Sequence, residues 1–112
     1  MTTKIDMHLI IIQVLIECGW TAYSGPAIGL KSFETATGVK EAQAYVSKGD
    51  EFNRTLSGDY QSEGRNALEA SGVLIPVEAD ADTVRRLAQQ FAKRVDAAVA
   101  QSYAARLHKK TT

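Results

Sequence analysis

The side chains that could do chemistry are few and lie far apart in this 112-residue sequence. The two histidines, His8 and His108, stand near opposite ends, and neither has cysteines or carboxylates around it at metal-ligand spacing. Two acidic pairs, Asp50/Glu51 and Asp80/Asp82, could act as general acids and bases, but each falls in a predicted turn or helix cap. The sequence therefore predicts no catalytic residues, no metal and no cofactor, and we interpret the protein as not an enzyme.

The composition indicates one domain over residues 1–112, with flexible ends at 1–4 and 108–112. Apolar residues make up 45% and charged residues 23% of the chain, which is typical of a globular domain of this length. Cys18 is the only cysteine, so no intrachain disulfide can form, and a reducing cytoplasmic location is expected. The longest apolar run, Leu9–Ile16, is too short to span a bilayer, so no membrane association is expected.

The net charge of zero conceals an uneven distribution. Residues 1–82 carry six Lys or Arg against twelve Asp or Glu, whereas residues 83–112 carry seven basic residues against Asp96 alone. Such asymmetry indicates either a basic face for an acidic partner or ion pairing between the two parts of the chain.

A first helix is expected after Asp6, which is placed to cap it, with Gly19 in the left-handed position beyond Cys18. Trp20 falls where a contact back to Leu15 commonly closes such a motif. The many β-branched residues between positions 8 and 17 also suit a buried strand, so both interpretations stay open for that segment.

The best-defined predicted element is a helix from about residue 82 to residue 107. Asp80 and Asp82 supply its start, and its apolar residues alternate spacings of four and three, as in a coiled coil. This pattern predicts a seam for a homo-oligomer, most simply a dimer, made by Val84, Leu87, Phe91, Val95 and Ala98.

The stretch from Leu56 to Gly72 is predicted to form a helix that begins at Asp59 and ends near Ser71. Gly64 would then lie on the same face as Tyr60 and Leu68, where a missing side chain would let another backbone pack closely. The surface of this helix is the candidate for binding a partner, through Tyr60, Glu63, Arg65 and Asn66.

Leu30–Gly49 is predicted to form two helical pieces separated at Thr37 and Gly38. The span resembles a helix-turn-helix of the repressor type, because an apolar residue, the turn glycine and the next apolar residue match at Phe33, Gly38 and Val39. It departs from that pattern at Glu34, Ala44 and Ser47.

The resemblance implies a DNA-binding regulator whose second helix would place Lys40, Gln43 and Lys48 near nucleic acid. The alternative is a helix-loop-helix that matches the motif by chance.

These observations predict a mainly α-helical fold, or an α+β fold with a small hairpin at residues 49–59, that ends in a long C-terminal helix. The function that we expect is a cytoplasmic protein-interaction module, a homo-oligomer that binds another protein. A DNA-binding transcriptional regulator is the second hypothesis.

Overall fold

The computed structural model describes residues 6–102 as two helices and seven strands. Helices cover 33% of these residues and strands 36%, so the prediction of a mainly α-helical fold is wrong. The elements, in chain order, are α1 (Met7–Glu17), β1 (Thr21–Ala22), β2 (Gly29–Thr35), β3 (Gly38–Lys48), β4 (Asn53–Asp59), β5 (Gln61–Ser62), β6 (Arg65–Asn66), β7 (Val73–Pro76) and α2 (Ala81–Gln101).

Five strands form one antiparallel sheet in the order β1-β2-β3-β4-β7, and β5 and β6 form a separate hairpin. Both helices pack against one face of the large sheet, which we call the inner face. Its opposite, outer face is open. The core between helices and sheet contains Ile11, Val14, Leu15, Trp20, Ala42, Ala44, Leu56, Ile75, Val84, Ala88, Phe91, Val95 and Val99.

The end signals of α1 are confirmed, and residues 8–17 form a helix rather than a strand. The Asp6 side chain accepts a hydrogen bond from the backbone of Leu9 at 3.3 Å. At the other end Gly19 has φ +94°, and the backbone N–H of Trp20 donates to the carbonyl of Leu15 at 2.9 Å. This is the Schellman arrangement, in which glycine takes the left-handed position that other residues avoid.

Residues 30–49 form the antiparallel strands β2 and β3, so the two predicted helical pieces and the helix-turn-helix are wrong. The predicted break is in the right place, because the two-residue turn lies between Thr35 and Gly38, and Gly38 has φ +112°. Ala, Glu, Gln and Lys fill much of β3 and are good helix formers, which favoured the helical interpretation. The sheet prevails because alternate positions place Ala42 and Ala44 against the core.

The predicted helix at 59–71 is also wrong, because residues 61–66 form a tight hairpin. Its two central residues, Glu63 and Gly64, have φ values of +54° and +78°, as a type I′ turn requires. A Cβ at Gly64 would meet no atom within 4 Å, so close packing does not explain this glycine. The left-handed backbone explains it.

Helix α2 begins as predicted, with the Asp80 side chain accepting a hydrogen bond from the backbone N–H of Thr83 at 2.8 Å. Hydrogen bonds from the Thr83 side chain and backbone hold the pKa of Asp80 below its ordinary value. Before the helix, Val73–Pro76 forms the edge strand β7. The predicted end of the helix at residue 107, His108 and the two predicted flexible ends (1–4 and 108–112) lie outside the described residues.

The predicted oligomer seam on α2 packs inside the single chain. Val84, Phe91 and Val95 are fully buried against the sheet and α1, while Leu87 and Ala98 are half-buried beside them. A helix in a coiled coil and a helix that packs on the sheet of its own chain both have an apolar stripe, so the spacing alone does not distinguish them. Charging Phe91 would therefore disrupt the core of one chain.

If Gly64 is required by its backbone conformation in the turn, variants at this position should differ in stability in a definite order. Gly64→Ala should lower the free energy of unfolding by about 1 kcal/mol, because an L-residue with a Cβ is strained at positive φ. Gly64→Asn should cost less than Gly64→Ala, since asparagine tolerates that conformation better. Urea denaturation measures both. If the larger asparagine costs more than alanine, steric packing rather than backbone conformation explains the glycine.

Candidate interaction surface

The hairpin segment proposed as a partner surface is divided between core and solvent. Tyr60 is only 1% exposed, and its ring packs edge-on against Phe33 with the centroids 5.9 Å apart. Burial raises the pKa of the Tyr60 phenol above its ordinary value. Tyr60 is thus a core residue that a partner cannot reach, whereas Glu63 and Arg65 are exposed at the hairpin tip.

Asn66 is a structural residue whose side chain joins three parts of this segment. Its Oδ1 accepts hydrogen bonds from the backbone N–H groups of Tyr60 (3.1 Å) and Leu68 (2.9 Å). Its Nδ2 donates to the carbonyl of Gly58 at 3.0 Å. The side chain therefore gives partners to backbone groups of Tyr60 and Leu68, which lie outside the strands, and ties the β5–β6 hairpin to the end of β4.

The three residues proposed for DNA contact do not form one surface. Along β3, even-numbered residues face the helices and odd-numbered residues face outward. Lys40 and Lys48 therefore lie on the inner side near the two ends of the strand, and Gln43 lies on the outer face. With the recognition helix absent, the DNA hypothesis loses the element on which it was based.

One residue of each acidic pair, Asp50 and Asp80, has structural partners. The Asp50 carboxylate accepts hydrogen bonds from the backbone of Phe52 at 2.7 Å and of Asn53 at 2.8 Å, closing the turn between β3 and β4. These bonds lower the pKa of Asp50 from its ordinary value. Asp80, as described above, caps α2. Among residues 6–102, no group of three or more His, Cys, Asp or Glu could hold a metal ion.

The exposed side of α2 carries a surface that we call the basic face. It consists of residues at helical spacing that line a shallow depression of about 490 Å³, namely Arg86, Gln89, Gln90, Lys93, Arg94 and Ala97. Arg86 and Lys93 are two turns apart, roughly 10 Å along the axis. None of these lining residues is acidic, so the depression carries three positive charges.

Ion pairing within the chain neutralises little of this charge. Two ion pairs occur among the described residues, Lys31–Asp96 at 2.9 Å and Arg85–Glu17 at 2.8 Å. Neither involves the basic face, where Arg94 donates to the carbonyl of Gly72 at 3.2 Å. Neither Arg86 nor Lys93 forms an ion pair in the part of the chain that the structure describes. The Asp80 carboxyl is near enough to Arg86 for that charge to help lower the pKa of Asp80.

The outer face of the sheet has the opposite sign. Its strand positions include Glu34, Glu41 and Asp59, and no Lys or Arg occupies an outward position on β2, β3, β4 or β7. The two layers of the molecule thus expose opposite charges. The uneven charge distribution along the sequence indicated a basic C-terminal part, but the residues of the basic face were missed. Their spacing from Arg86, which is i+3, i+4, i+7, i+8 and i+11, was the available signal, because it places all of them on one side of a helix.

No protein-family model, no curated protein and no solved structure matches this chain. None of the helices among residues 6–102 is long and apolar enough to cross a membrane.

The role of Asn66 gives a stability prediction. Asn66→Ala should lower the free energy of unfolding by about 2–3 kcal/mol, because two part-buried N–H groups and one carbonyl lose their partners. Arg65→Ala, at the exposed neighbouring position, should change it by less than about 0.5 kcal/mol. Urea unfolding of both variants provides the measurement. Equal effects would show that the Asn66 hydrogen bonds contribute nothing specific.

Proposed function

We propose that this protein is an interaction module that binds an acidic region of another protein through the basic face. The observation that carries the proposal is the set of three cations, Arg86, Lys93 and Arg94, exposed on one regular helix that its own sheet holds in place. Because the helix is fixed on the core, these charges are arranged before a partner arrives, and binding orders little besides side chains.

An acidic protein fits this surface better than duplex DNA does. Three cations can contact only about three phosphates, which is too few for tight binding of a duplex at physiological salt. The outer face of the sheet is acidic, so it would repel the phosphates of nucleic acid. Gln89 and Gln90 add amide groups that can donate and accept hydrogen bonds, which suits a protein surface that presents both carboxylates and amides.

Binding rather than catalysis is the proposed activity, because one residue of each acidic pair, Asp50 and Asp80, is already used in a turn and a helix cap. We also propose a cytoplasmic location, because a chain with the single cysteine Cys18 suits a reducing compartment. The proposal also includes self-association, but through the exposed side of α1 instead of the buried seam on α2. Leu9 and Ile16 are 63% and 52% exposed on α1, where a second copy could cover them.

The proposal predicts salt-sensitive binding of a fluorescently labelled poly-glutamate peptide, measured by anisotropy at low ionic strength. The double variant R86Q/K93Q should weaken binding at least about tenfold, a loss of about 1.4 kcal/mol. The matched control K40Q/K48Q removes the same charge from the sheet and should change the affinity less than about twofold.

Equal losses in the two double variants would mean that the peptide senses only net charge, which contradicts a defined basic face. Tighter binding of a duplex DNA of similar charge would assign the surface to nucleic acid instead. The free energy of unfolding of each variant, measured by urea denaturation, should match that of the wild type, because all four side chains lie outside the core cluster.

A further inference from the structure

The outer face of the sheet contains a pocket that the proposed function does not use. Its volume is about 210 Å³, and it is lined by Tyr23, Pro26, Ala27, Leu30, Glu41, Gln43 and Tyr45. Glu41, Gln43 and Tyr45 are alternate residues of β3, so all three face outward. Leu30 lies opposite Gln43 on β2 and forms the apolar floor.

One wall of the pocket, the Tyr23 ring, is held in position by its own loop. The backbone N–H of Tyr23 donates to the carbonyl of Ile28 at 3.1 Å, closing the loop before β2. A Cβ at Gly25 would collide with the edge of the Tyr23 ring, so the glycine leaves room for the ring to fold over the loop. Half of the Tyr23 surface is exposed.

The polar end of the pocket presents acceptors without a cation. The Tyr45 hydroxyl donates to Oε1 of Gln43, which fixes both side chains beside each other. The neighbouring Glu41 carboxylate forms no ion pair among the described residues. With two tyrosines nearby and no basic side chain on this face, the pocket favours a positively charged group.

The size and shape of the pocket restrict what that group can be. A volume of about 210 Å³ is below the roughly 300–1,000 Å³ of small-molecule sites, and suits one side chain of a larger partner. A guanidinium group stacks flat on a tyrosine ring while its forked N–H groups bind a carboxylate. An ammonium group is more strongly hydrated and gains less from the ring.

We propose that this pocket binds an arginine side chain of a partner protein, with the guanidinium paired to Glu41 and stacked on Tyr23. The inference does not rest on the basic face, because the two surfaces lie on opposite layers of the fold. A chain that binds carboxylates on α2 and an arginine on the sheet can connect two different proteins.

The test uses a short blocked peptide, Gly-Arg-Gly, titrated into the isotopically labelled full chain and followed by amide chemical shifts. Binding should be millimolar, with the largest shifts at Leu30 and at residues 41–45. Replacing arginine by citrulline, which has the same shape without charge, should abolish it. Glu41→Gln should weaken binding at least about fivefold, and Tyr23→Leu, which keeps an apolar wall, about threefold.

Glu51→Gln is the matched control, because it removes the same charge from an exposed position outside the pocket, and it should leave the affinity unchanged. Equal loss in Glu41→Gln and Glu51→Gln, or binding of citrulline, would overturn the proposal. Equal affinity for Gly-Lys-Gly would assign the pocket to cations in general and overturn the guanidinium. Without peptide, the chemical shifts of the pocket residues should not change with protein concentration. If they do, a second copy of the chain supplies the arginine, and the proposal of a different partner protein is overturned.

Discussion

The fold depends on how closely large side chains can approach the middle of the sheet. Gly29, Ala44 and Gly58 are direct cross-strand neighbours on β2, β3 and β4, and form a row of small residues on the inner face. A Cβ at Gly58 would lie 2.7 Å from Cδ1 of Leu68 and 3.3 Å from Cζ of Phe91. The row therefore leaves space that larger side chains occupy.

At the other end of the row, a Cβ at Gly29 would lie 3.4 Å from Leu15 and 3.5 Å from Trp20. Trp20 in turn lies 6.1 Å from Phe91, measured between ring centroids, so α1 and α2 meet above the same row. Burial of each of these side chains contributes about 1.5–3 kcal/mol. Because the apolar side of α2 is buried in the core of its own chain, the helix exposes its polar and charged side. The acidic face of the sheet is exposed on the opposite layer.

The starts of both helices and the end of α1 were predictable from the sequence because their signals are local. Asp6 and Asp80 cap the helices through their own side chains, and Gly19 ends α1 by its backbone conformation. The strands were not predictable in this way. In β3, alanine stands at buried positions where a strand ordinarily places valine or isoleucine, and the reason is the packing of distant side chains above the row.

The glycines show the same difference between local and distant causes. Close packing was attributed to Gly64, which the structure places in an open turn, whereas Gly58 is the glycine against which a side chain packs. Nothing within a few residues of Gly58 indicates that Phe91 lies above it. For the candidate site, charge along the sequence indicated the basic part of the chain, but the side of α2 that stays exposed depends on which side the sheet covers.

The most direct test of this account is a double-mutant cycle between Gly58 and Leu68, measured by urea unfolding. Gly58→Ala should cost about 2 kcal/mol in the wild-type chain, because the new methyl group overpacks a filled core. Leu68→Val removes the Cδ1 atom that this methyl would meet, so Gly58→Ala in that background should cost about 1 kcal/mol less. An equal cost in both backgrounds would contradict the claim that the bare Cα of Gly58 accommodates the side chain above it.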